Sequence, residues 1–427
     1  MFGNLPLFDT RGIFGREGVR WRIALLLLCV TAINYLDRQA LAIAAPILQK
    51  EFDLSKADYG FITSAFLLTY AIGQATAGRI LDFIGTKRGF SWAIVLWSLT
   101  GMLHALGQGL LSFFVLRALL GLTESLNFPA AMKAVAEWFP KKDRALGASM
   151  VRVGTGVGAL TAPPFLGLLI YYYGWQSAFL VPGAMGFLWL LVWQKYYFSP
   201  EAHPRLTPAE SHLIMQDRVP DKPGAQGSET WRTLIRRRDL QGLMAARFFA
   251  DNLLYFYLFW LPIYLSEARG FSLLQIGLFA WIPFLFSDLG GLFVGWLSGK
   301  VLGRGWSLWT TRISFLWIAA VLVPVAGLAA VVDSPFVALG LISFGLFMNQ
   351  FKTTPLFTLP TDIFPAKSVG TAWGMCGAAG SIGATLMQPF IGLLADNVGY
   401  SVVFGLVSIL PALAAISVTL TVRRIAE

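Results

Sequence analysis

Charge is what this chain has least of. Only 13% of its 427 residues are Asp, Glu, Lys or Arg, against about 25% in an ordinary soluble domain. A water-exposed globular surface is therefore excluded. Cysteine is almost absent: Cys29 and Cys376 both fall inside apolar runs, so there is no disulfide framework and no metal-ligand spacing. Histidine is equally sparse. His104, His203 and His212 lie too far apart in sequence to suggest a site. Neither HExxH nor GxSxG occurs, which speaks against a membrane-embedded hydrolase or transferase.

Hydrophobic residues make up 56% of the chain. They gather in windows of about 20 or more, the length that crosses about 30 Å of hydrocarbon at about 1.5 Å per residue. Twelve such windows are centred near 33, 68, 97, 120, 158, 187, 254, 287, 320, 349, 380 and 410. The expected fold class is all-α, a polytopic membrane protein with the lipid bilayer as its solvent. The first window is span-length and follows a basic stretch, so it reads as a first helix rather than a cleaved signal.

A formal net charge of +10 could indicate nucleic acid, but its placement reports topology instead. Arg11, Arg16, Arg20 and Arg22 precede the first window; Arg79, Lys87 and Arg88 follow the second; Lys141, Lys142 and Arg144 follow the fourth. Lys195, Arg205, Arg218, Lys222, Arg232, Arg236, Arg237 and Arg238 fill the connection between the sixth and seventh. The alternate loops, such as ALGQG at 105–109, carry almost none. The positive-inside rule then puts both termini and the central connection in the cytoplasm. No nucleic-acid partner is expected.

The proline-rich stretch 199–239 reads as a linker with a short helix near 207–218. It divides the chain into a six-helix bundle at 1–198 and a second at 240–427. The two parts repeat. An offset of 225 positions aligns Phe139-Pro140 with Phe364-Pro365, Gly158 with Gly383, Pro164 with Pro389, Gly167 with Gly392, Gly174 with Gly399 and Phe179 with Phe404. Parallel repeats predict a binding site near the midplane between them and rocking of one against the other.

The stretch GRILDFIGTKR, from Gly78, resembles the signature conformational loop of the major facilitator superfamily, with its acid Asp82, turn glycine Gly85 and basic pair Lys87 and Arg88. Its second-repeat counterpart has Gly299 where Asp is common. NYLDR, RALLGLTESLNFPA and AEWFPKKDRA resemble the anion:cation symporter family. RFFADNLLYFYLFWLPIYL, AWIPFLFSDLGGLF and LFTLPTDIFP resemble its hexuronate-transporting branch. The resemblance implies a symporter of a sugar acid and protons, with no cofactor. A monomer in a bacterial inner membrane is expected, and an aldonate or aldarate is the alternative substrate.

Charges inside the spans carry the chemistry. A charge at the bilayer centre costs roughly 2.5–3.5 kcal/mol, so it is expected to face a partner or a water-filled cavity. Asp37 and Arg38 lie near mid-depth in the first span, and helix neighbours point about 100° apart. Arg117 and Glu124 of the fourth span share a face. These four either form a crossed network used in transport or merely neutralise one another. The family resemblance implies that Asp37 and Glu124 take up the coupling proton, that Arg38 and Arg117 are their partners, and that Tyr35 and Tyr70 line the cavity. The expected cation for the substrate carboxylate is Arg38, Arg117 or Arg152, with Thr155 lining the same site; Arg152 alternatively pairs with another helix. Arg247 and Asp251, four apart, read first as a local ion pair. Asn252, Tyr255 and Tyr257, then Asn349, Gln350, Lys352 and Thr353, are candidates for sugar hydroxyls. Asn349 occupies the repeat position of Glu124, an amide for an acid. Trp373, Ser381 and Gln388 are weaker candidates.

Overall fold

The computed structural model describes residues 18–140, 143–215, 231–364 and 366–422. The basic residues Arg11, Arg16, Lys141, Lys142, Arg218 and Lys222, part of the linker and repeat member Pro365 lie outside that set. So do the side chains of Gly78, Arg79 and Asp82. The long helices are α1 (Val19–Glu51), α2 (Lys56–Ile84), α3 (Thr86–Leu106), α4 (Leu110–Trp138), α5 (Arg144–Tyr173) and α6 (Ser177–Tyr196). After the linker come α7 (Arg238–Glu267), α8 (Leu273–Leu302), α9 (Leu308–Ala330), α10 (Pro335–Ile363), α11 (Ala366–Asn397) and α12 (Tyr400–Thr421).

Among the described residues, eleven helices are long and apolar enough to cross a membrane. The helix α2, where the window near 68 was expected, has 29 residues and stands outside those eleven. All-helical architecture is what hydrocarbon demands, because a lipid-exposed backbone group has no water to bond. The expected linker helix is present as Pro208–Met215. The buried carboxylate of its Glu210 accepts from the backbone N–H groups of Val19 and Arg20, at 3.4 and 3.1 Å, and so caps the start of α1.

The aligned residues of the repeat have matching structural jobs. Gly174 caps the end of α5 and Gly399 the start of α12, each in the connection to a neighbouring helix and each at positive φ, 83° and 91°. Gly158 and Gly383 are each a crossing point. A Cβ on Gly158 would lie 2.6 Å from the Ala32 carbonyl of α1, and one on Gly383 would lie 2.3 Å from the Phe248 carbonyl of α7. Without a hydrophobic drive between helices in lipid, such close backbone approach is what makes them adhere.

Other close approaches bring the first six long helices against the last six at one end. Gly60 of α2 abuts Gln388 and Pro389 of α11, and Gly277 of α8 abuts Pro163 and Pro164 of α5. Tyr59 donates to the Phe259 carbonyl at 2.8 Å and Ser64 to the Thr385 carbonyl at 2.8 Å. Asp396 of α11 caps α2 by accepting from the N–H groups of Lys56 and Ala57, at 3.2 and 2.9 Å. Lys56 Nζ adds contacts of 3.3 Å to Glu267 and 3.6 Å to Asp396.

Towards the other end the seam opens. Ile72, Gln74 and Thr76 of α2 are exposed, and a Cβ on Gly374 or Gly377 of α11 would meet nothing within 4 Å. The molecule is therefore closed at the end bearing residues 51–56 and 397–400, and open at the end bearing 84–86 and 302–308.

Gly383→Leu should drive its side chain into backbone that cannot yield. Overpacking of this kind costs about 1–3 kcal/mol. A lower unfolding midpoint of the detergent-solubilised protein would report it, and an unchanged midpoint would show that α7 and α11 are not held by close approach.

Candidate functional site

At the base of the opening, Arg38 of α1 meets Glu124 of α4. The guanidinium places Nη2 at 3.1 Å and Nε at 3.3 Å from Glu124 Oε2. Nη2 also lies 3.5 Å from Asn34 Oδ1. Three rings enclose the cation: Tyr35, Phe66 and Tyr70 have centroids 5.0, 5.1 and 4.7 Å from Arg38 Cζ. Ring quadrupoles attract a cation at this range, more so when water is excluded. Arg38 is 5% exposed and Glu124 0%. Tyr70 stacks on Phe66 and accepts from Gln74 at 3.2 Å. From the last six helices, Tyr255 lies within electrostatic range of Arg38, Tyr35 and Tyr70, and stacks on Phe259 at 6.0 Å. The ion pair thus sits where the two groups of helices meet.

Glu124 occupies a break. The first segment of α4 ends at Glu124 and the second starts at Asn127. Pro129 explains it: proline has no N–H to give the carbonyl four residues back. The carboxylate keeps one oxygen, Oε1, buried and without a hydrogen-bond partner.

The other two charges are arranged differently. Asp37 turns to α3, where its Oδ1 lies 3.3 Å from the place of a Cβ on Gly101. Among the described residues no cation comes within 4 Å of Asp37, and its Oδ2 is buried without a partner. Arg117 donates to the Arg38 carbonyl at 3.4 Å, while its Nε and Nη2 are buried and unpartnered. Glu124 and Arg117 both lie within electrostatic range of Asp37. One arm of the crossed network is formed as an ion pair; the other is held at longer range.

Other candidates spread out. Arg152 is exposed, with Cζ 5.9 Å from the Phe357 ring, and it shares its surroundings with Asp288 of α8. Thr155 donates to the Arg152 carbonyl at 2.6 Å. Gln350 donates to Ser287 at 2.7 Å and thereby faces α8. Tyr257 is buried against Phe256 and Phe404, a packing role. Gln388 accepts from Trp260 at 2.7 Å within the closed seam. Trp373 packs on Phe357, and Ser381 is buried in α11.

Arg247 and Asp251 form the expected local pair, at 2.8 Å, with Arg247 also over the Phe357 ring at 4.3 Å. Lys352 is 1% exposed and donates to the Ala250 carbonyl at 2.5 Å. Asn349 donates to Thr353 at 3.3 Å, and its Oδ1 is a buried acceptor without a partner.

In the signature stretch, only Gly85 leaves the helical path, at φ 80° between α2 and α3. Gly78 and Asp82 lie on α2 and Arg88 is exposed at the start of α3. Lys87 donates to the Gln194 carbonyl at 2.9 Å and lies 4.0 Å over the Phe198 ring.

One residue escaped the sequence reading, and one set aside there has a defined place. Asp288 was visible inside AWIPFLFSDLGGLF as an acid within a span. His104 is fully buried, donating from Nδ1 to the Thr100 carbonyl at 2.8 Å and stacked on Phe179 at 5.2 Å.

Buried partners act as a unit, so Arg38→Gln and Glu124→Gln should not add. A double-mutant cycle on unfolding midpoints is expected to give an interaction energy of about 1–3 kcal/mol. Strict additivity would mean that the pair is not energetically joined.

The chain matches the family model described as Major Facilitator Superfamily over residues 27–374. It is 32% identical over 404 residues to the hexuronate transporter of Escherichia coli K12, covering 94% of this chain and 93% of that one. It is also 32% identical to the galacturonate transporter of Dickeya chrysanthemi, covering 77% and 95%. The crystal structure of a bacterial homolog of the human lysosomal transporter Spinster, inward-facing and unoccupied, superposes with a TM-score of 0.75 at 18% identity, over 95% of each chain. The opposed helical groups, the seam between them and the match along most of the sequence have one reading: the chain belongs to the major facilitator superfamily.

Proposed function

We propose that the protein is a proton-coupled symporter that imports a sugar acid, a hexuronate, by alternating access. The relatives named as hexuronate and galacturonate transporters support the substrate class. The observation that carries the coupling is the buried Arg38–Glu124 pair, set among tyrosines of both helical groups. A proton on Glu124 removes the charge that holds Arg38, and the guanidinium can then donate to the oxygens of a sugar. Asp37, buried and without an ion pair, is the second proton site. Tyr35, Tyr70 and Tyr255 supply ring faces and hydroxyls around the same space.

The reading treats α1–α6 and α7–α12 as two rocking bundles joined by the linker, with α2 as the twelfth span. Both termini face the cytoplasm of a bacterial inner membrane, so the open end is the cytoplasmic one, and the protein works as a monomer. An inside-negative potential opposes an anion by about 2.3 kcal/mol per charge per 100 mV. One proton makes the step electroneutral, and two let the potential assist.

Proteoliposomes with an acidic exterior should accumulate labelled glucuronate or galacturonate against its gradient. Glucose and galactose should compete little. Glu124→Gln is expected to abolish uphill accumulation while retaining exchange of substrate across the membrane. Uphill uptake by that variant at the normal rate would remove Glu124 from the coupling, and preference for aldonates or aldarates would select those acids as substrate.

A further inference from the structure

Resting on that reading, we propose that Lys352, in the cluster it forms with Arg247 and Asp251, supplies the counter-charge for the carboxylate of the bound acid. The arginines of the first six helices do not. The argument is charge matching inside the apolar bundle. In the first six helices Arg38 and Arg117 are balanced by Asp37 and Glu124. Arg152 stands opposite Asp288, whose Oδ2 lies 2.8 Å from the place of a Cβ on Gly156, two residues along from Thr155 on α5. Arg312 is paired with Asp362 at 3.0 Å. Counted by cluster, each of these cations has an acid in contact or within electrostatic range that no other cation claims.

Lys352 does not. Among the described residues no carboxylate lies within 4 Å of its ammonium, which rests on the Ala250 carbonyl of α7. Asp251, in the next position along α7, is committed to Arg247. Lys352, Arg247 and Asp251 lie within electrostatic range of one another, so with the lysine protonated the three carry one uncompensated positive charge. A lone buried cation is costly in hydrocarbon, and an anion arriving between the helical groups removes that cost.

The cluster is also reachable. Asp251 and Arg247 side chains are 19% and 8% exposed, and the lining of α11 at Gly377 is open space. Tyr255, one turn along α7 from Asp251, links the cluster to Arg38. The four-carbon stem lets the ammonium turn from the carbonyl to a carboxylate. Two buried amide oxygens on the same two helices, Asn252 Oδ1 and Asn349 Oδ1, have no partner, and sugar hydroxyls are donors of the kind they lack.

The test is binding and counterflow of labelled glucuronate by the purified full-length protein at fixed pH. Lys352→Gln neutralises the cluster and should raise the apparent dissociation constant about thirty-fold or more. Lys352→Arg should stay near wild type. Lys352→Gln with Asp251→Asn frees Arg247, restores the single positive charge and should recover a large part of the affinity. Unchanged affinity in Lys352→Gln overturns the proposal. So does a loss that the second substitution deepens, since that is what a mere tie between α10 and α7 would give. If the wild-type protein binds no sugar acid, the transport reading itself fails, and this assignment with it.

Discussion

A charge taken into hydrocarbon must find its opposite, and the interior of this protein is arranged around that requirement. Arg38 reaches Glu124 across two helices because neither can be left alone where water is scarce. The pair then fixes much else. Its guanidinium fills the space between Tyr35, Phe66 and Tyr70, which sets the facing of α1 against α2. Its carboxylate occupies the point where α4 is interrupted, so the break lies at the level of the site rather than in a loop. Removing either partner would disturb three helices together.

Closure at one end has a different physical source. There the two groups of helices touch through backbone, at Gly60 against Gln388 and at Gly277 against Pro163. Polar contacts are few and mostly aimed at carbonyls or helix ends. Asp396 on the N-terminus of α2 satisfies two free N–H groups, whereas the neighbouring Lys56 contacts are part-exposed. Capping of that kind is worth about 1 kcal/mol and an exposed ion pair about 0–1. A seam built of many small terms can part without a large barrier in any single contact, as the alternating access proposed above requires.

The sequence made the coarse architecture readable for a physical reason: hydrocarbon thickness dictates helix length, so eleven of the twelve expected windows fall on helices long and apolar enough to cross, while the one near 68 falls on α2, which is not among them. The repeat was readable because glycines at helix crossings, such as Gly158 and Gly383, tolerate no larger side chain. The charged residues were readable as a set, since charge is rare in the spans. Their pairing was not. Whether Glu124 would meet Arg117 or Arg38 depends on the rotation of α1 against α4, which periodicity does not encode. Asp37 turns to Gly101 and Gln350 to Ser287 for the same reason. The break after Glu124 had a signal in Pro129. The capping of α1 by Glu210, across 191 positions, had none.

Under the proposed symport, charge placement offers a way for two ligands to be coupled without touching. With both acids ionised, the network of Arg38, Arg117, Asp37 and Glu124 is neutral; each proton added makes it more positive. The cluster around Lys352 carries its own positive charge across the same opening. An anion lodged between them is attracted more strongly after protonation, and by reciprocity its presence favours the proton. Low dielectric strengthens that attraction and the closed seam keeps water from screening it. On these counts the empty, unprotonated site carries one positive charge, an anion alone makes it neutral, a proton alone raises it to two, and an anion with one proton returns it to one. Under the proposed symport the state with only a proton is therefore the most costly in hydrocarbon and the least able to close, a bias that would keep protons from crossing without the acid.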